Sequence, residues 1–366
     1  MREVYVGVMS GTSMDGVDAV VADFAPTEAG PCALLSAAHT PFAPDLAAEL
    51  AALQRSGDDE LARAARAANA LADTYAQAIE AALGLAGIAA ADVVAAGVHG
   101  QTLRHRPDEG WTLQLNNPAR IAERTGLPIV ADFRSRDIAA GGEGAPLVPA
   151  FHAALFGGRH QRSIVNIGGI ANVTDLPVRG EVRGFDTGPG NVLLDLWHAR
   201  HHGAGFDRDG AWARTGRVDG PLLTALLAEP YFARVPPKST GRDLFDADWL
   251  AARLAGREVA PADIQATLVA LTARTIADAI AAHCGASEEV LICGGGAKNL
   301  ALMKALAALL APRATATTAA HGVAVEHVEA LAFAWLAREA LGGRPGNLPA
   351  VTGARGARVL GAIYPR

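Results

Sequence analysis

Hydrophobic and polar positions alternate along the chain in patterns that predict strands and helices in turn. A β-branched run at 4–9, a polar turn at Ser10–Gly16 and a second run at 17–22 predict a β-hairpin at the start. Apolar residues at helical spacing over Pro44–Leu85 predict a long helix, and the run at 93–98 predicts a buried strand. Strands that alternate with helices in this way are typical of α/β folds.

The second half of the chain begins with a similar pattern. Residues 163–174 predict another strand–glycine–strand unit, and a strand is expected at 289–293. Helical spacing recurs over Asp263–His283 and Val325–Leu341. Gly141–Ala145 is the clearest break in composition and a candidate hinge. One glycine-tipped hairpin therefore opens each half of the chain.

Composition narrows the classes of function. The 366 residues include 32 Lys and Arg against 38 Asp and Glu, a formal net charge of −6, and no long basic run. A nucleic-acid groove or a surface for anionic membranes is therefore not expected. Three cysteines without C-x-x-C spacing argue against zinc, redox and disulfide-framework proteins. No signal peptide or membrane span is predicted, so we expect a cytoplasmic protein.

Three glycine-rich turns are candidates for phosphate binding. They are Ser10–Gly16, Ile167–Asn172 and Gly294–Asn299. Such turns can present successive backbone N–H groups to phosphate oxygens without a Cβ in the way. None has the spacing of a P-loop or of G-x-G-x-x-G, and a tight turn without a ligand is the alternative for each. Their recurrence at strand ends in both halves favours a nucleotide held between two domains.

Longer motifs carry a more specific signal. They are Gly7–Asp18 (GVMSGTSMDGVD), His99–Thr102 (HGQT), Asn166–Asn172 (NIGGIAN), Gly184–Asn191 (GFDTGPGN), Pro237–Arg242 (PKSTGR) and Gly294–Asn299 (GGGAKN). These blocks, in this order, resemble those of the anhydro-N-acetylmuramic acid kinases. The resemblance extends from one end of the chain to the other.

The resemblance implies a fold and a reaction. The fold is the two-lobed α/β fold of actin, hexokinase and the heat-shock ATPases (ribonuclease H-like), with the active site in the cleft between the lobes. We expect lobe I at 1–137 plus 341–366, with the first phosphate hairpin and the sugar contacts. Lobe II is expected at 138–340, with the second hairpin, the catalytic base and the adenosine site. ATP, water and 1,6-anhydro-N-acetylmuramic acid would give N-acetylmuramic acid 6-phosphate and ADP, in bacterial peptidoglycan recycling. A homodimer is a further family expectation.

Two carboxylates are the candidates for acid–base chemistry. Water that attacks an anomeric carbon needs a general base, as in inverting glycoside hydrolysis. Asp186 is our candidate, because it lies in the glycine-bracketed turn that the family motif places in the cleft. Its alternative is an Asp that only caps the turn. Glu329 is a candidate second carboxylate for the same water, and a first-turn Glu that complements the helix dipole is the alternative.

The resemblance also assigns the binding residues. The expected ATP and Mg²⁺ site comprises Gly11, Thr12, Ser13, Met14, Asp15, Gly16, Val17, Asp18, Gly168, Gly169, Asn172, Gly294, Gly295 and Gly296. Asp18 would contact the metal through water, or it is an ordinary strand-end acid. We expect the polar side chains of His99 and Gln101 to line the sugar site. Arg134 and Arg136 are expected to contact the lactyl carboxylate of the muramic sugar, because an Arg fork matches a carboxylate. Surface ion pairing is the alternative for one of the two arginines.

Two other functions remain open from the sequence. One is a kinase of the same fold that phosphorylates an ordinary sugar hydroxyl, in which Asp186 would deprotonate the acceptor. The other is a non-catalytic module that closes on ATP without transferring phosphate. The first would add phosphate without water to its substrate, and the second would add neither.

Overall fold

The structure is a computed structural model that describes residues 2–11, 14–25, 32–158, 160–203, 205–241 and 243–366. Its strands are β1 Val4–Met9, β2 Gly16–Asp23, β3 Ala33–Pro41, β4 Ala95–Val98, β5 Gln101–Arg106, β6 Trp111–Leu115, β7 Ile129–Ala131, β8 Arg162–Ile167, β9 Ile170–Leu176, β10 Arg183–Pro189, β11 Glu289–Cys293, β12 Ala314–Thr317 and β13 Ala362–Tyr364. Its α-helices are α1 Pro44–Ala52, α2 Glu60–Ala86, α3 Pro118–Thr125, α4 Ser135–Ala139, α5 Val148–Phe156, α6 Val192–His202, α7 Gly220–Leu227, α8 Ala247–Leu254, α9 Pro261–His283, α10 Leu300–Leu310, α11 Val328–Leu341 and α12 Pro349–Thr352.

The chain divides into two compact units. Unit 1 comprises Met1–Leu155 and His327–Arg366, and unit 2 comprises Phe156–Glu326. The predicted lobes have their boundaries at 137/138 and 340/341, whereas the two units have theirs at 155/156 and 326/327. The reason is that 138–155 and the whole of α11 pack within unit 1.

The glycine-rich segment Gly141–Ala145, the candidate hinge, lies within unit 1 and not at either point where the chain passes from one unit to the other. The fully buried carboxylate of Asp137 accepts the backbone N–H of Gly144 at 2.8 Å. Its other oxygen accepts hydrogen bonds from Asn347 at 2.6 Å and Thr352 at 2.8 Å. These bonds hold the segment against the C-terminal part of the same unit.

Unit 1 is built on a six-stranded sheet in the order β13-β7-β4-β1-β2-β3. Strands β1, β2 and β3 are antiparallel neighbours, whereas β4 runs parallel to β1 and β7 runs parallel to β4. Helix α2 packs on one face of this sheet. The predicted single helix at 44–85 is two helices, because the polar segment Ser56–Asp59 interrupts it and Asp59 has φ +52°. The β1–β2 hairpin is confirmed.

Helix α11 contacts the sheet of unit 1 at two glycines. Gly7 on β1 and Gly97 on β4 are register partners in the parallel pair. A Cβ on Gly7 would overlap the carbonyl oxygen of Ala330, and one on Gly97 would overlap that of Phe333. Glycine is therefore required at both positions for the backbone of α11, which carries Glu329, to approach the sheet.

Unit 2 has a five-stranded sheet in the order β10-β9-β8-β11-β12. Here β8, β9 and β10 are antiparallel neighbours, and β11 runs parallel to β8 and to β12. Helix α9 is long and apolar enough to cross a membrane, but 78% of its apolar window is buried inside the protein. Its residues form much of the unit 2 core, including Leu268, Leu271 and Ile276. Helix α9 is thus the core helix of this unit.

The two sheets repeat one topology. In each, the first three strands of the unit form an antiparallel meander, and the first strand then pairs in parallel with a later strand that has a further parallel neighbour. This is the 3-2-1-4-5 order of ribonuclease H-like units, with β13 added in unit 1. The predicted α/β fold made of two similar units is confirmed.

Candidate functional site

Asp186 lies on β10, the edge strand of the unit 2 sheet. Its carboxylate oxygen Oδ2 accepts the backbone N–H of Thr240 at 3.0 Å. Its own backbone N–H donates to the carbonyl of Lys238 at 3.1 Å, and its carbonyl accepts the Tyr231 hydroxyl at 2.9 Å. The β9–β10 register shifts between Asp186 and Gly188, which marks a bulge beside this carboxylate. The 230–240 loop therefore holds Asp186 at three points.

Burial sets the protonation of Asp186. It raises the pKa of the carboxyl to about 6, while the Thr240 N–H and the charge of Lys238 lower it in part. A carboxyl with a pKa near working pH can both accept a proton and release it, which is what general-base catalysis requires. Asp186 is ionised at neutral pH, yet it is a stronger base than an exposed Asp.

Asn172 is the predicted nucleotide residue that the structure brings to Asp186. The two are register partners across β9–β10. Asn172 is also opposite Asn166 on β8, which in turn is opposite Cys293 on β11. Because partners share a face of the sheet, these four residues form one row across it. The row lies on the face opposite the core residues Val165 and Val173, which alternate with it.

The glycine turns of unit 2 occupy the ends of these strands. The carbonyls of Gly168 and Gly169 accept backbone N–H groups of Asn191 and Gly190, each at 2.8 Å. Gly295 follows β11, and a Cβ there would meet only the Asn191 amide, at 3.8 Å. The backbone of Gly295 is therefore open on the side where a side chain would stand.

Gly294 and Gly296 have a different requirement. Gly294 has φ +80°, and a Cβ on it would overlap the Asn166 side chain. A Cβ on Gly296 would overlap Ile167. Both are glycines because the turn packs against the end of β8.

The β1–β2 turn of unit 1 packs against the start of β5. Gln101 is buried, and its Nε2 donates to the carbonyl of Gly11 at 3.2 Å. The Ser10 hydroxyl lies 2.6 Å from that of Tyr75, a fully buried residue of α2. Met14 has φ +54° and donates its N–H to Gly11 at 3.3 Å. The predicted contacts of Thr12 and Ser13, and the motif residue Arg242, lie outside the described residues.

Three predicted residues of this hairpin need separate comment. The side chain of Val17 is fully buried in the unit 1 core, so only its backbone is available to a nucleotide. A Cβ on Gly16 would lie 2.6 Å from the Thr40 carbonyl oxygen, so this glycine is required by the β2–β3 pairing. The carbonyl of Asp15 accepts the N–H of Phe42 at 3.2 Å, which holds the residue before β2 against the residue after β3.

Asp18 pairs with His39. Its Oδ1 lies 2.9 Å from His39 Nδ1, and both side chains are about half exposed. The two are register partners across β2–β3, in positions that correspond to Asn172 and Asp186 of unit 2. Among the described residues no group of three His, Cys, Asp or Glu side chains could hold a metal. Mg²⁺ is commonly held by one or two carboxylates together with substrate phosphates and waters, which Asp18 fits.

His99 and Arg134 are in direct contact in unit 1. Nε and Nη2 of Arg134 lie 3.0 and 2.8 Å from His99 Nε2, and Nη1 donates to the Gly144 carbonyl at 2.8 Å. Burial and the nearby Arg134 charge hold the pKa of His99 well below its usual range, so the imidazole is neutral and Nε2 accepts. Burial lowers the pKa of Arg134 to about 10, and the Glu329 and Asp137 carboxylates oppose that shift. Unit 1 therefore brings His99, Arg134 and Glu329 together.

Arg136 is not part of this group. Its side chain is exposed on the short helix α4. Arg136 is two positions after Arg134, and side chains two positions apart on a helix point in different directions. The two arginines therefore do not act as one fork.

Sequence reasoning missed several residues that surround Asp186. Tyr231, Lys238 and Thr240 all contact its backbone or carboxylate. The motif Pro237–Arg242 was the available signal, since it lies near them in the chain, but it carried no assigned role. His39 gave no signal because its partner Asp18 is on another strand.

The fold and the glycine turns define a class of protein. Two ribonuclease H-like units, each opening with a glycine-tipped hairpin, make a duplicated α/β protein of the actin and hexokinase class.

Comparison with known proteins identifies the family. The family model for anhydro-N-acetylmuramic acid kinase matches residues 3–366. The anhydro-N-acetylmuramic acid kinase of Cupriavidus pinatubonensis is 56% identical, over 99% of this chain and 98% of that protein. The one of Bordetella petrii is also 56% identical, over 99% and 96%. The chain belongs to the anhydro-N-acetylmuramic acid kinase family.

The solved structures that match this chain are distant from it in sequence. The activator of the 2-hydroxyisocaproyl-CoA dehydratase from Clostridium difficile, with bound ADPNP, is 13% identical with a TM-score of 0.46 and covers 91% of this chain and 93% of its own. A ROK family glucokinase from Streptomyces griseus, in complex with glucose and AMPPNP, is 15% identical with a TM-score of 0.41 and covers 92% and 99%.

Proposed function

We propose that this kinase hydrolyses the anhydro bridge of 1,6-anhydro-N-acetylmuramic acid and phosphorylates O6 at the expense of ATP. The products are N-acetylmuramic acid 6-phosphate and ADP, and the reaction serves peptidoglycan recycling in the cytoplasm. Family membership over the whole chain supports the substrate. The observation that carries the chemistry is the partly buried Asp186 carboxylate, with its pKa raised to about 6.

Asp186 acts as the general base. It accepts a proton from the water that attacks the anomeric carbon, and its backbone and carboxylate are held by the 230–240 loop for that purpose. The oxygen released from the bridge needs no separate acid, because the γ-phosphoryl group of ATP takes up its developing charge. Glu329 is the second carboxylate that orients the same water.

The remaining residues bind rather than react. Gly11–Asp18, together with Gly168, Gly169 and Asn172, would hold the ATP phosphates, and Gly294–Gly296 would hold the adenosine side. Phosphoryl transfer depends mainly on such positioning and on charge neutralisation. Mg²⁺ would supply part of that neutralisation, with Asp18 reaching it through water.

Arg134 is our candidate for the lactyl carboxylate of the sugar. It is positively charged at neutral pH, because its pKa stays near 10 despite burial. The bonds to His99 and to the Gly144 carbonyl fix the guanidinium plane, which favours a planar carboxylate partner. Gln101 would line the same side of the sugar.

We further propose, from membership of the family, that the active protein is a homodimer.

The product's mass distinguishes this function from its alternatives. The purified protein is incubated with ATP, Mg²⁺ and the anhydro-sugar, and the product is analysed by mass spectrometry. We expect a gain of one phosphate and one water per sugar. A gain of phosphate alone would indicate an ordinary sugar kinase, and an unchanged sugar would indicate a binding module. N-acetylmuramic acid, which lacks the bridge, is the control acceptor.

A further inference from the structure

Unit 2 contains a cavity on the α9 side of strand β10. Its volume is about 320 Å³, which is within the range of small-molecule sites. Arg234, Lys238 and His283 line it together with the hydroxyl-bearing residues Thr187 and Thr275. The row that contains the Asp186 carboxylate lies on the other face of the sheet from the α9 core, and Lys238 is the lining residue that also contacts Asp186, through its backbone carbonyl.

The cavity carries positive charge that the protein neutralises only in part. Across the described ranges, no carboxylate lies within ion-pair distance of Arg234 or Lys238. Both cations flank the ring of Tyr231, at 5.8 and 5.0 Å from its centroid. The one carboxylate in the lining, that of Asp278, is already bonded to Arg274 at 2.9 Å. The lining is therefore positively charged at neutral pH, although the Asp186 carboxylate attracts Lys238.

The cations of this group lower one another's pKa values. Burial lowers the pKa of Lys238, repulsion from Arg234 lowers it further, and the Asp186 carboxylate opposes the shift. The pKa of His283 is lowered by burial and then by the charges of Lys238 and Arg183. A bound anion would relieve this repulsion, because it would attract each of the cations.

We propose that this cavity binds a small phosphate-bearing compound of about hexose phosphate size. The phosphate contacts Arg234 and Lys238, since charge-assisted bonds to such groups are the strong ones. The hydroxyls of Thr187 and Thr275 already donate to the carbonyls of Ala171 and Thr272, so they can accept hydrogen bonds from hydroxyl groups of the ligand, and the ring of Phe232 provides an apolar wall for its body. A free phosphate ion would fill only a small part of 320 Å³, so a phosphate ester fits the cavity better than phosphate alone.

Calorimetry on the full-length protein tests this site. Glucose 6-phosphate and inorganic phosphate are titrated separately in the presence of saturating ADP, which occupies the nucleotide site. We expect glucose 6-phosphate to bind, and to bind more tightly than phosphate. Arg234→Gln, a change at an exposed side chain, should weaken binding by about tenfold or more. The matched control is Arg257→Gln, because Arg257 is exposed and its Nε bonds only to the Arg253 carbonyl.

Three results would overturn the proposal. The first is an unchanged dissociation constant in Arg234→Gln, and the second is equal weakening in Arg257→Gln. The third is binding that saturating ADP abolishes, because the phosphate would then occupy the nucleotide site. A histidine NMR titration adds a local readout: the pKa of His283 should rise when glucose 6-phosphate binds, and it should not move with glucose.

Discussion

Replacing the proposed base by its amide should make the protein more stable while it removes activity. Asp186→Asn keeps the shape of the side chain, and the amide oxygen can still accept the Thr240 N–H. What it removes is a charge that the fold disfavours. The variant therefore separates a catalytic carboxylate from one that serves the structure.

The size of the stabilisation follows from the pKa. The carboxyl titrates near 3.8 when exposed and near 6 in the folded protein, so the folded state binds the proton more tightly. Stability is then lost as the pH rises from about 3.8 to 6, and the full cost, on the order of 3 kcal/mol, is present above pH 6. At pH 5 the cost is about half of that. Asp186→Asn should recover about 1–3 kcal/mol at pH 7.5 and clearly less at pH 5.

Urea unfolding at the two pH values measures this difference. Trp197 and Trp249 are buried in unit 2 and report its unfolding by fluorescence. In the same preparation, turnover should fall by about 10²–10⁴-fold, because the general base is lost. ATP affinity should change little, since the base acts in the transition state.

Each alternative role of Asp186 gives a different result. A turn cap would leave the Asn variant near wild-type activity. A Mg²⁺ ligand would give a defect that high Mg²⁺ partly restores. A variant that is less stable than wild type at pH 7.5, or equally stable at both pH values, would refute the electrostatic reasoning. For the wild type, kcat/KM should fall as the pH drops below about 6, because the base becomes protonated.

Further variants test the nucleotide turn, the helix–sheet contact and the sugar contact. Gly295→Val should lower ATP affinity about tenfold or more without unfolding the protein, because its Cβ has room; calorimetry measures this, and unchanged affinity would remove Gly295 from the site. Gly97→Ala should lower the free energy of unfolding by about 3 kcal/mol through overlap with α11. Gly84→Ala, on the exposed side of α2, should raise it by about 0.5–1 kcal/mol, and equal effects in urea unfolding would contradict the packing account. Arg134→Lys should raise KM for the anhydro-sugar about tenfold through loss of the planar fork, whereas steady-state kinetics should show no change for Arg136→Lys. The lactyl contact is wrong if the two lysine variants behave alike.

Local pattern was enough for much of the fold. Both hairpins, helix α9 and the glycine turns follow from residues that are close in the chain. These features could be predicted because strand alternation, helical spacing and glycine turns are encoded within about 10 to 20 residues. Asp186 is an exception: its motif predicts a turn, whereas the structure places it in the middle of strand β10, beside a bulge.

The features of the fold and the site that the sequence did not predict depend on contacts between residues far apart in the chain. Gly141–Ala145 has the composition of a hinge, but Asp137 bonds this segment and the distant residues Asn347 and Thr352 into one unit. Thr240, whose N–H bonds the Asp186 carboxylate, is 54 residues further along the chain. Burial of the carboxyl, and hence its raised pKa, depends on such contacts and not on the local sequence.

The anomeric form of the first product tests the central claim most directly. In a 1,6-anhydro sugar of the D series the bridge oxygen is on the β face of the anomeric carbon. Water that Asp186 activates on the opposite face must therefore give the α anomer of N-acetylmuramic acid 6-phosphate. Proton NMR during the first minutes of turnover, faster than mutarotation, should show the α anomer alone, which then equilibrates. A β anomer, or an equilibrium mixture from the start, would contradict single-step attack by water that Asp186 activates.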